Sequence, residues 1–169
     1  NGKRNGKGKE YNKQGKLKFE GEFLNGKKNG KGKEYNEEGG IKFEGEYLND
    51  KRNGKGKEYD WDNELIFEGE YLYYWKLKGK GYIDNRLEFE GEYLYNNKWN
   101  GKGYDENGEV IYEIKNGKGN IKEYYYYKSN LKFEGKYLNG KMDGKGVEYY
   151  YNGEIKFKGE YFKGKRWNG

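Results

Sequence analysis

Cysteine, histidine and proline are absent from this 169-residue sequence, and so are alanine and threonine; serine occurs once, at Ser129. Without cysteine no disulfide framework can form, and without cysteine and histidine the usual zinc and iron sites are excluded. A serine or cysteine nucleophile activated by histidine is excluded for the same reason. No apolar run approaches the roughly 20 residues that a membrane-spanning helix needs.

Large aliphatic residues and phenylalanine are also scarce. Leu, Ile, Val and Phe make up 27 of the 169 residues while 38% of the chain is charged, and this balance on its own favours disorder. Aromatic residues, however, make up 20% of the chain, with 21 Tyr, 8 Phe and 4 Trp, and 30 Gly occur without any Pro. The regular spacing of these residues favours an ordered chain over a disordered one, because each aromatic ring can bury a large area.

The sequence repeats itself along nearly its whole length. The tetrapeptide Phe-Glu-Gly-Glu or a variant of it begins at Phe19, Phe43, Phe67, Phe89, Tyr112, Phe133 and Phe157. Successive copies start 24, 24, 22, 23, 21 and 24 residues apart, and a Gly-Lys-Gly sequence lies between each neighbouring pair. A period of this length predicts a repeat architecture.

One repeat, residues 17–40, illustrates the predicted local structure. Leu17, Phe19 and Phe23 alternate with charged residues, which is the period of a strand with one buried face. Asn and Gly at 25–29 favour a turn, a second short strand follows, and the chain then turns again. Each repeat is therefore predicted to be a β-hairpin. A helix is disfavoured because glycine recurs every few residues and no 3.6-residue apolar stripe appears.

Charge predicts the register within this hairpin. Pairing of Phe23 with Gly30 would set Glu22 and Glu20 opposite the two lysines of residues 30–33. Each such cross-strand pair of opposite charges contributes about 0.2–1 kcal/mol. We prefer this register for that reason.

The preferred register also leaves Gly30 and Gly32 on the aromatic face, where rings can lie over bare backbone. A shift by one residue would oppose Glu20 and Glu34, which carry like charges, although it would gain an aromatic pair with Tyr35. Both registers remain open at this point.

These residues together resemble the MORN (membrane occupation and recognition nexus) repeat. The family pattern combines two aromatic residues with five glycines at fixed spacing, and here its seven positions are occupied by Phe19, Gly21, Phe23, Gly26, Gly30, Gly32 and Gly39. The unit that begins at Phe133 fills the first six positions. The second aromatic is Tyr or Phe here, where the family often has Trp.

The resemblance implies an all-β fold, namely an elongated single-layer antiparallel β-meander of about seven stacked hairpins over residues 1–169, with half-units at both ends. It also implies a scaffold or protein-binding role near membranes and the cytoskeleton, in the cytoplasm or at a membrane periphery; an extracellular fibre is an alternative. Phospholipid binding has been proposed for the family, and homodimerisation is common in it.

Aromatic residues interrupt the regular turns. Tyr73, Tyr74 and Trp75 replace the usual Asn-Gly turn, Trp99 is inserted in the next linker, and Trp167 echoes it. Exposed Trp and Tyr clusters often mark interfaces, so these five residues are the candidate partner surface. The alternative is that the rings simply cover the backbone of neighbouring repeats.

The degenerate repeat contains a different signal. Asn116 and Gly117 lie between two strand-like segments, 110–115 and 118–124, and predict a two-residue hairpin at which the array kinks or changes its twist. The run Tyr124–Tyr127 must place two rings on each face of the sheet.

One rim of the predicted sheet is cationic. The candidate basic rim consists of Lys27, Lys28, Lys51, Arg52, Lys98, Lys141, Lys165 and Arg166. Such a rim could meet anionic lipid headgroups at about 1 kcal/mol per charge, and the alternative is a solvated edge, because glutamates nearly cancel the net charge of +6. Nucleic-acid binding is not expected, because the balanced charge lacks a strongly basic footprint.

The recurrent glycines are interpreted as structural. The Walker spacing of a phosphate loop is absent and no helix follows the Gly-Lys-Gly sequences. The structural glycines are Gly21, Gly30, Gly32, Gly45, Gly54, Gly56, Gly69, Gly91, Gly135, Gly144 and Gly146. No catalytic, cofactor-binding or metal-binding residues are predicted: no acidic pair stands apart from the rest, and Asp60, Asp62 and Asn63 read as a turn.

The sequence therefore predicts a non-catalytic structural or interaction scaffold that contacts another protein or a second copy of itself. Residues 1–11 and 154–169 read as complementary half-hairpins. They predict either a window on a longer array or, as the alternative function, a filament in which molecules stack head to tail. Binding to an anionic lipid surface and binding of a glycan in an aromatic groove are lower alternatives.

Overall fold

The computed structural model describes residues 2–125 and 130–167. The chain divides into two compact units, Asn1–Gly79 and Lys80–Gly169. The described residues form strands and turns without a helix, and so contain no helix that could cross a membrane. The predicted all-β class is confirmed. Half of the predicted tyrosine run, residues 126 and 127, lies outside the described residues, as do the last two residues of the predicted terminal half-hairpin.

The strands of the first unit form an antiparallel meander. Their bounds are β1 (Gly6–Tyr11), β2 (Leu17–Leu24), β3 (Lys27–Tyr35), β4 (Ile41–Leu48), β5 (Lys51–Tyr59) and β6 (Leu65–Leu72), and β7 (Trp75–Ile83) begins in this unit and ends in the second. From β1 to β6 each strand pairs with the next one in sequence. The prediction of consecutive hairpins in an open sheet is confirmed.

The two faces of this sheet differ as the alternation predicts. In β2, Phe19 and Phe23 are buried on one face, which we call the aromatic face. Glu20 and Glu22 point to the opposite face, which we call the charged face. The same order recurs in β4 and β6, because the sequence repeats every 24 residues there.

The predicted register holds for only part of the β2–β3 hairpin. Glu20 lies opposite Lys33, as predicted. Past that pair the ladder shifts, and Phe23 lies opposite Lys28. The predicted pairing of Phe23 with Gly30 is therefore wrong.

A β-bulge explains the shift. Gly30 has φ +95°, and the Glu22 carboxylate folds over it and accepts the backbone N–H of Lys31 at 3.4 Å. Gly30 is thus not beneath a ring, contrary to the prediction. Lys31 pairs instead with Glu46 of the following strand, whose carboxylate in turn accepts the N–H of Lys55 at 3.0 Å. An opposite-charge pair forms, but between hairpins rather than within one.

The turns of the first unit are stacked through backbone hydrogen bonds. Each turn donates an N–H to a carbonyl of the preceding hairpin: Gly26 to Arg4 at 2.8 Å, Asp50 to Lys28 at 2.9 Å and Tyr74 to Arg52 at 2.9 Å. The residues at the centres of these turns have positive φ, which explains their Asn and Gly content. The stacking fixes one turn above the next along the rim.

The second unit is less regular. Its strands are β8 (Arg86–Leu94), β9 (Asn97–Tyr104), β10 (Val110–Ile114), β11 (Gly119–Tyr124), β12 (Leu131–Leu138), β13 (Lys141–Tyr149), β14 (Ile155–Phe162) and β15 (Lys165–Trp167). Strands β8 to β10 pair consecutively, and β11 to β15 form a separate five-stranded antiparallel sheet. The predicted two-residue turn at Asn116 and Gly117 connects β10 to β11, so the sheet is interrupted at that hairpin.

A small core fills the second unit around that interruption. The buried residues are Phe89, Tyr112, Ile114, Ile121, Phe133, Tyr137 and Tyr161, with Met142 packed against them. The aliphatic members Ile114 and Ile121 come from the degenerate repeat. Aliphatic side chains thus join the aromatic rings in the core of this unit.

Candidate functional site

Each phenylalanine of the Phe-Glu-Gly-Glu motif is buried against a pair of glycines. Phe19 lies over Gly21 and Gly32, which face each other across β2 and β3. A Cβ atom at Gly32 would lie 2.4 Å from Cζ of Phe19, so no side chain fits there. Phe43 and Gly56 show the same approach, also 2.4 Å. The glycines act by absence of a side chain, which lets the ring reach the backbone.

The rings of the first unit contact one another in a continuous column. Successive members meet edge to face with centroids 5.2–5.6 Å apart, in the order Phe23, Phe19, Tyr47, Phe43, Tyr71 and Phe67. Such contacts add about 0.5–1.5 kcal/mol per pair beyond area burial. The column links each hairpin to the next.

The predicted structural glycines fall into two groups. At Gly21, Gly32, Gly45, Gly56, Gly69, Gly91, Gly135 and Gly146, a Cβ would collide with a ring or with the neighbouring strand. At Gly30, Gly54 and Gly144, φ is between +92° and +97° and the residue lies in a bulge. Close approach explains the first group and the left-handed backbone explains the second.

A cation covers the outer side of each phenylalanine that begins a Phe-Glu-Gly-Glu motif in the first unit. Lys28 Nζ lies 4.1 Å from the Phe19 centroid, Arg52 Cζ lies 4.1 Å from that of Phe43, and Lys76 Nζ covers Phe67 at 4.5 Å: three cation–π contacts. They close the aromatic face to water.

Arg52 is the most buried of these cations, with 8% of its surface exposed. It bridges Glu34 at 2.7 Å and Glu58 at 3.0 Å, and Lys76 also reaches Glu58 at 3.0 Å. Burial raises the pKa of Glu34, but the hydrogen bond and charge of Arg52 outweigh it, so this pKa lies below its ordinary value. Glu58 behaves likewise, because Lys76 and Arg52 together overcome the effect of burial on its pKa.

The structure divides the predicted basic rim into two sets. Four of its residues are exposed and make no ion pair of 4.0 Å or less with a described residue: Lys27, Lys51, Lys141 and Lys165. The other four, Lys28, Arg52, Lys98 and Arg166, lie over aromatic rings and pair with glutamates. Alternate rim cations are therefore neutralised within the protein.

The aromatic turn of the first unit exposes apolar side chains at a hairpin tip. We define it as Leu72, Tyr73, Tyr74, Trp75 and Leu77, each 45–49% exposed. The Tyr74 hydroxyl donates to the Asp50 carbonyl at 2.5 Å. Tyr73 carries the Lys51 ammonium 5.1 Å from its ring centroid. Part of each ring thus covers the preceding turn, and about half remains open to solvent.

This turn is also strained. Tyr73 and Tyr74 have φ +48° and +79°, in the left-handed region that disfavours residues with a Cβ. The equivalent positions of the two adjacent repeats carry Asn49-Asp50 and Tyr95-Asn96, and two other repeats carry Asn25-Gly26 and Asn139-Gly140. Only here do two aromatic residues occupy both positions of a described turn. Two bulky residues at these positions cost roughly 1–2 kcal/mol each, so the fold alone does not account for them.

The other predicted interface residues lie in the second unit. Trp99 is half-buried, and a Cβ at Gly117 would lie 2.6 Å from its ring, so Trp99 covers the backbone of the tight hairpin. Trp167 is 61% exposed and packs on Phe162, with centroids 5.6 Å apart. Trp99 fits the backbone-covering alternative, whereas the aromatic turn and Trp167 stay exposed.

The charged face of the first unit is a ladder of alternating charge. Ion pairs join neighbouring strands: Lys9 with Glu20 at 3.4 Å, Lys33 with Glu44 at 3.2 Å and Lys57 with Glu68 at 3.6 Å. Tyrosine hydroxyls add to it, since Tyr35 donates to Glu20 at 2.6 Å and Tyr59 to Glu44 at 2.8 Å. Burial and the Glu20 carboxylate raise the pKa of Tyr35 to about 12.

Sequence reasoning missed the ion cluster around Arg52. The sequence contains the acidic residues of the cluster, because the Gly-Lys-Glu-Tyr segment recurs in the first unit and carries a glutamate each time. These glutamates could be assigned to Arg52 only once the register was known, because the bulge determines that Arg52 contacts Glu34 and Glu58. Among the described residues, no group of three or more acidic side chains is arranged to hold a metal ion.

The MORN repeat family model matches four segments of the chain, residues 1–16, 19–41, 43–62 and 133–155. The resemblance drawn from the sequence is confirmed. Three of the matched segments lie in the first unit and one in the second. No curated protein matches this sequence.

Proposed function

This chain carries MORN repeats, and from that premise we propose that it is an interaction scaffold whose aromatic turn contacts another protein. MORN repeats are commonly interaction or scaffold modules and are generally non-catalytic. The chain itself acts without catalysis in this proposal. Its role is to hold a surface in a fixed position.

The observation that carries the proposal is the strained pair Tyr73 and Tyr74. Both residues take a backbone conformation that Asn and Gly adopt at lower cost, and both remain about half exposed. Trp75 beside them is exposed to the same extent. Tyr and Trp supply large contact areas with few rotatable bonds, which is why they dominate protein interfaces.

The test replaces the pair by the Asn-Gly turn that two other repeats carry at these positions. The variant Tyr73→Asn/Tyr74→Gly relieves the strain and removes the rings, so it should raise the melting temperature and abolish partner capture. The matched control is Lys163→Asn, which improves an equivalent turn without removing a ring. Proteins retained from an extract of the source cells are compared by quantitative mass spectrometry. The proposal fails if the double variant retains the same proteins as the wild type.

Self-association is the second candidate, and the head-to-tail filament is its specific form. Sedimentation velocity over a hundredfold range of concentration distinguishes it from a scaffold for other proteins. A sedimentation coefficient that grows without limit supports the filament. A sedimentation coefficient that does not change with concentration would exclude the filament.

Binding to anionic membranes has weaker support than the sequence suggested. Only alternate rim cations, such as Lys27 and Lys51, are exposed, while Lys28 and Arg52 are neutralised by glutamates. Co-sedimentation with anionic vesicles that salt abolishes would favour this role. Retention on a polysaccharide column that salt leaves intact would favour glycan binding instead.

A further inference from the structure

A groove of about 610 Å³ lies on the charged face of the second unit, across strands β11 to β14. Its floor is the backbone at Gly135, Gly146 and Gly159, which lie opposite one another in three adjacent strands. The side-chain positions of these residues are directed to the aromatic face, where Phe133 and Phe157 pack against them. The charged face therefore shows bare peptide groups between two rows of longer residues. The groove therefore runs across the strands rather than along them.

One wall is a row of directly opposed residues, one from each strand: Lys122, Glu134, Val147 and Lys158. At about 4.8 Å per strand, its two terminal lysines are about 14 Å apart. The opposite wall contains Asn120, Lys145 and Glu160. Lys136 lies opposite Asn120 in the ladder and extends this wall.

The corresponding row of the first unit is fully alternating. Val147 stands where that unit has Lys33, and Lys158 stands where it has Glu44. Lys136 likewise replaces the glutamate found at Glu46. Two acidic positions of the repeat have thus become basic on one face of one unit, and two basic positions have become uncharged, at Val147 and Asn120.

Two of the four lysines at the groove keep a carboxylate opposite them in the ladder, Lys122 with Glu134 and Lys145 with Glu160. The other two, Lys136 and Lys158, lie opposite the uncharged residues Asn120 and Val147. Within residues 2–125 and 130–167, Lys122, Lys136, Lys145 and Lys158 make no ion pair of 4.0 Å or less. The two carboxylates that remain at the groove are Glu134, which accepts the Tyr149 hydroxyl at 2.6 Å, and the exposed Glu160. Four lysines against two carboxylates leave the described part of the groove with an excess of positive charge.

We propose that this groove binds an acidic segment of polypeptide in an extended conformation, laid across β11 to β14. Alternate side chains of an extended chain lie about 6.6 Å apart, so carboxylates at positions i and i+4 span about 13 Å. That span matches the separation of Lys122 and Lys158. Asn120 and Glu160 offer oxygen acceptors to the backbone N–H groups of the bound segment.

The lining favours a peptide over a nucleic acid or a sugar. The described lining residues include no aromatic ring, whereas bases and sugars are held mainly by stacking on such rings. Glu134 and Glu160 would also repel closely spaced phosphates. A narrow floor of glycine backbone with Val147 beside it suits the slim backbone of an extended peptide.

The probe is a fluorescein-labelled ten-residue peptide of alternating glutamate and serine, titrated with the full chain and followed by fluorescence anisotropy. Saturable binding is expected, and a peptide with glutamine for glutamate should not bind. The variant Lys136→Glu/Lys158→Glu restores the residue types of the first unit and should weaken binding by at least about tenfold. Circular dichroism and a melting curve verify that it is folded.

The matched control is Lys18→Glu/Lys42→Glu, which makes the same change in net charge at exposed positions of the first unit. It should change the affinity by less than about twofold. Equal loss in both double variants would show that the attraction is only non-specific charge, and would overturn the proposal. Equally tight binding of a ten-nucleotide thymidine strand at the same ionic strength would overturn it too.

Nuclear magnetic resonance of the wild type gives a reading that needs no variant. Addition of the peptide should shift the backbone amide signals of Gly135, Gly146 and Gly159, and leave those of Gly32 and Gly56 in place. Shifts confined to the first unit would contradict the proposed site. This groove and the aromatic turn lie in different units, so failure of one proposal leaves the other intact.

Discussion

The two units are built from the same repeat, yet they use it differently. In the first, each motif phenylalanine of the aromatic column has a cation above it, and the charged face is an alternating ladder. In the second, aliphatic residues enter the core and the charged face has unpaired lysines. Three of the four segments that match the MORN repeat lie in the first unit. The regular repeats of the first unit stabilise the fold. Residues that depart from the repeat form the surfaces that we propose for recognition.

One position shows the difference most directly. Arg52 in the first unit and Met142 in the second both follow a hairpin turn and both lie opposite the second aromatic of the motif, Tyr47 and Tyr137 respectively. Arg52 joins two glutamates, whereas Met142 packs against an apolar core. The same backbone position therefore supports an ionic or an apolar closure of the aromatic face.

The largest expected effect on stability comes from a substitution that introduces the residue of the first unit at the equivalent position of the second. Gly103 lies opposite Phe89 and Tyr112, where the first unit has Glu34. A Cβ at Gly103 would lie 2.0 Å from the Tyr112 ring. Gly103→Glu should therefore destabilise the chain by about 3 kcal/mol or more, although it restores the repeat.

Urea unfolding followed by fluorescence measures this effect. Gly8→Ala is the control, because it is also a strand glycine but its Cβ would meet only the edge of Phe23 at 3.2 Å. It should cost less than about 1 kcal/mol. Similar costs for the two variants would mean that Tyr112 moves freely, and that the two units do not differ at this position.

Exchange of the two closures gives a smaller and asymmetric effect. Arg52→Met leaves Glu34 without its cation in a partly buried site and should cost about 2–3 kcal/mol. Met142→Arg places a guanidinium between Glu123 and Glu148, the counterparts of Glu34 and Glu58, and should change stability by less than about 1 kcal/mol.

Thermal unfolding at two salt concentrations measures both exchange variants. Met142→Arg should make the stability more dependent on salt, since it adds an ion pair. If Arg52→Met cost nothing, the ion cluster of the first unit would have no role in its stability, and the contrast drawn between the units would be lost.

Acidification should have the smallest effect and should weaken the first unit more. Carboxylates with a lowered pKa are Glu20, Glu34, Glu44 and Glu58 in the first unit and Glu148 in the second. A lowered pKa in the folded state gives stability that is present above the ordinary value of 4.5 and is lost as the pH falls through the folded value. Amide hydrogen exchange between pH 7 and pH 3 should show protection lost first in β2 to β5. Simultaneous loss in both units would contradict this order.

The repeat, the strands and the two faces could be predicted from the sequence, because period-two alternation and Asn-Gly turns are local properties of the chain. Asn116 and Gly117 predicted a two-residue turn, and the structure has it. The register could be predicted only in part. Charge pairing favoured Glu20 with Lys33, which is present, but it could not reveal that Gly30 lies in a bulge, since the bulge depends on how Glu22 folds over it.

For the candidate sites, too, some features could be predicted from local sequence and others depended on the tertiary structure. The exposure of Tyr73 and Tyr74 followed from their place in a turn, which local sequence determines. Which cations are neutralised, and which lysines are left without partners at the groove, was decided only by the tertiary structure. The physical reason is that an ion pair depends on which residues of neighbouring strands lie opposite one another, and a bulge changes that pairing by one or two residues.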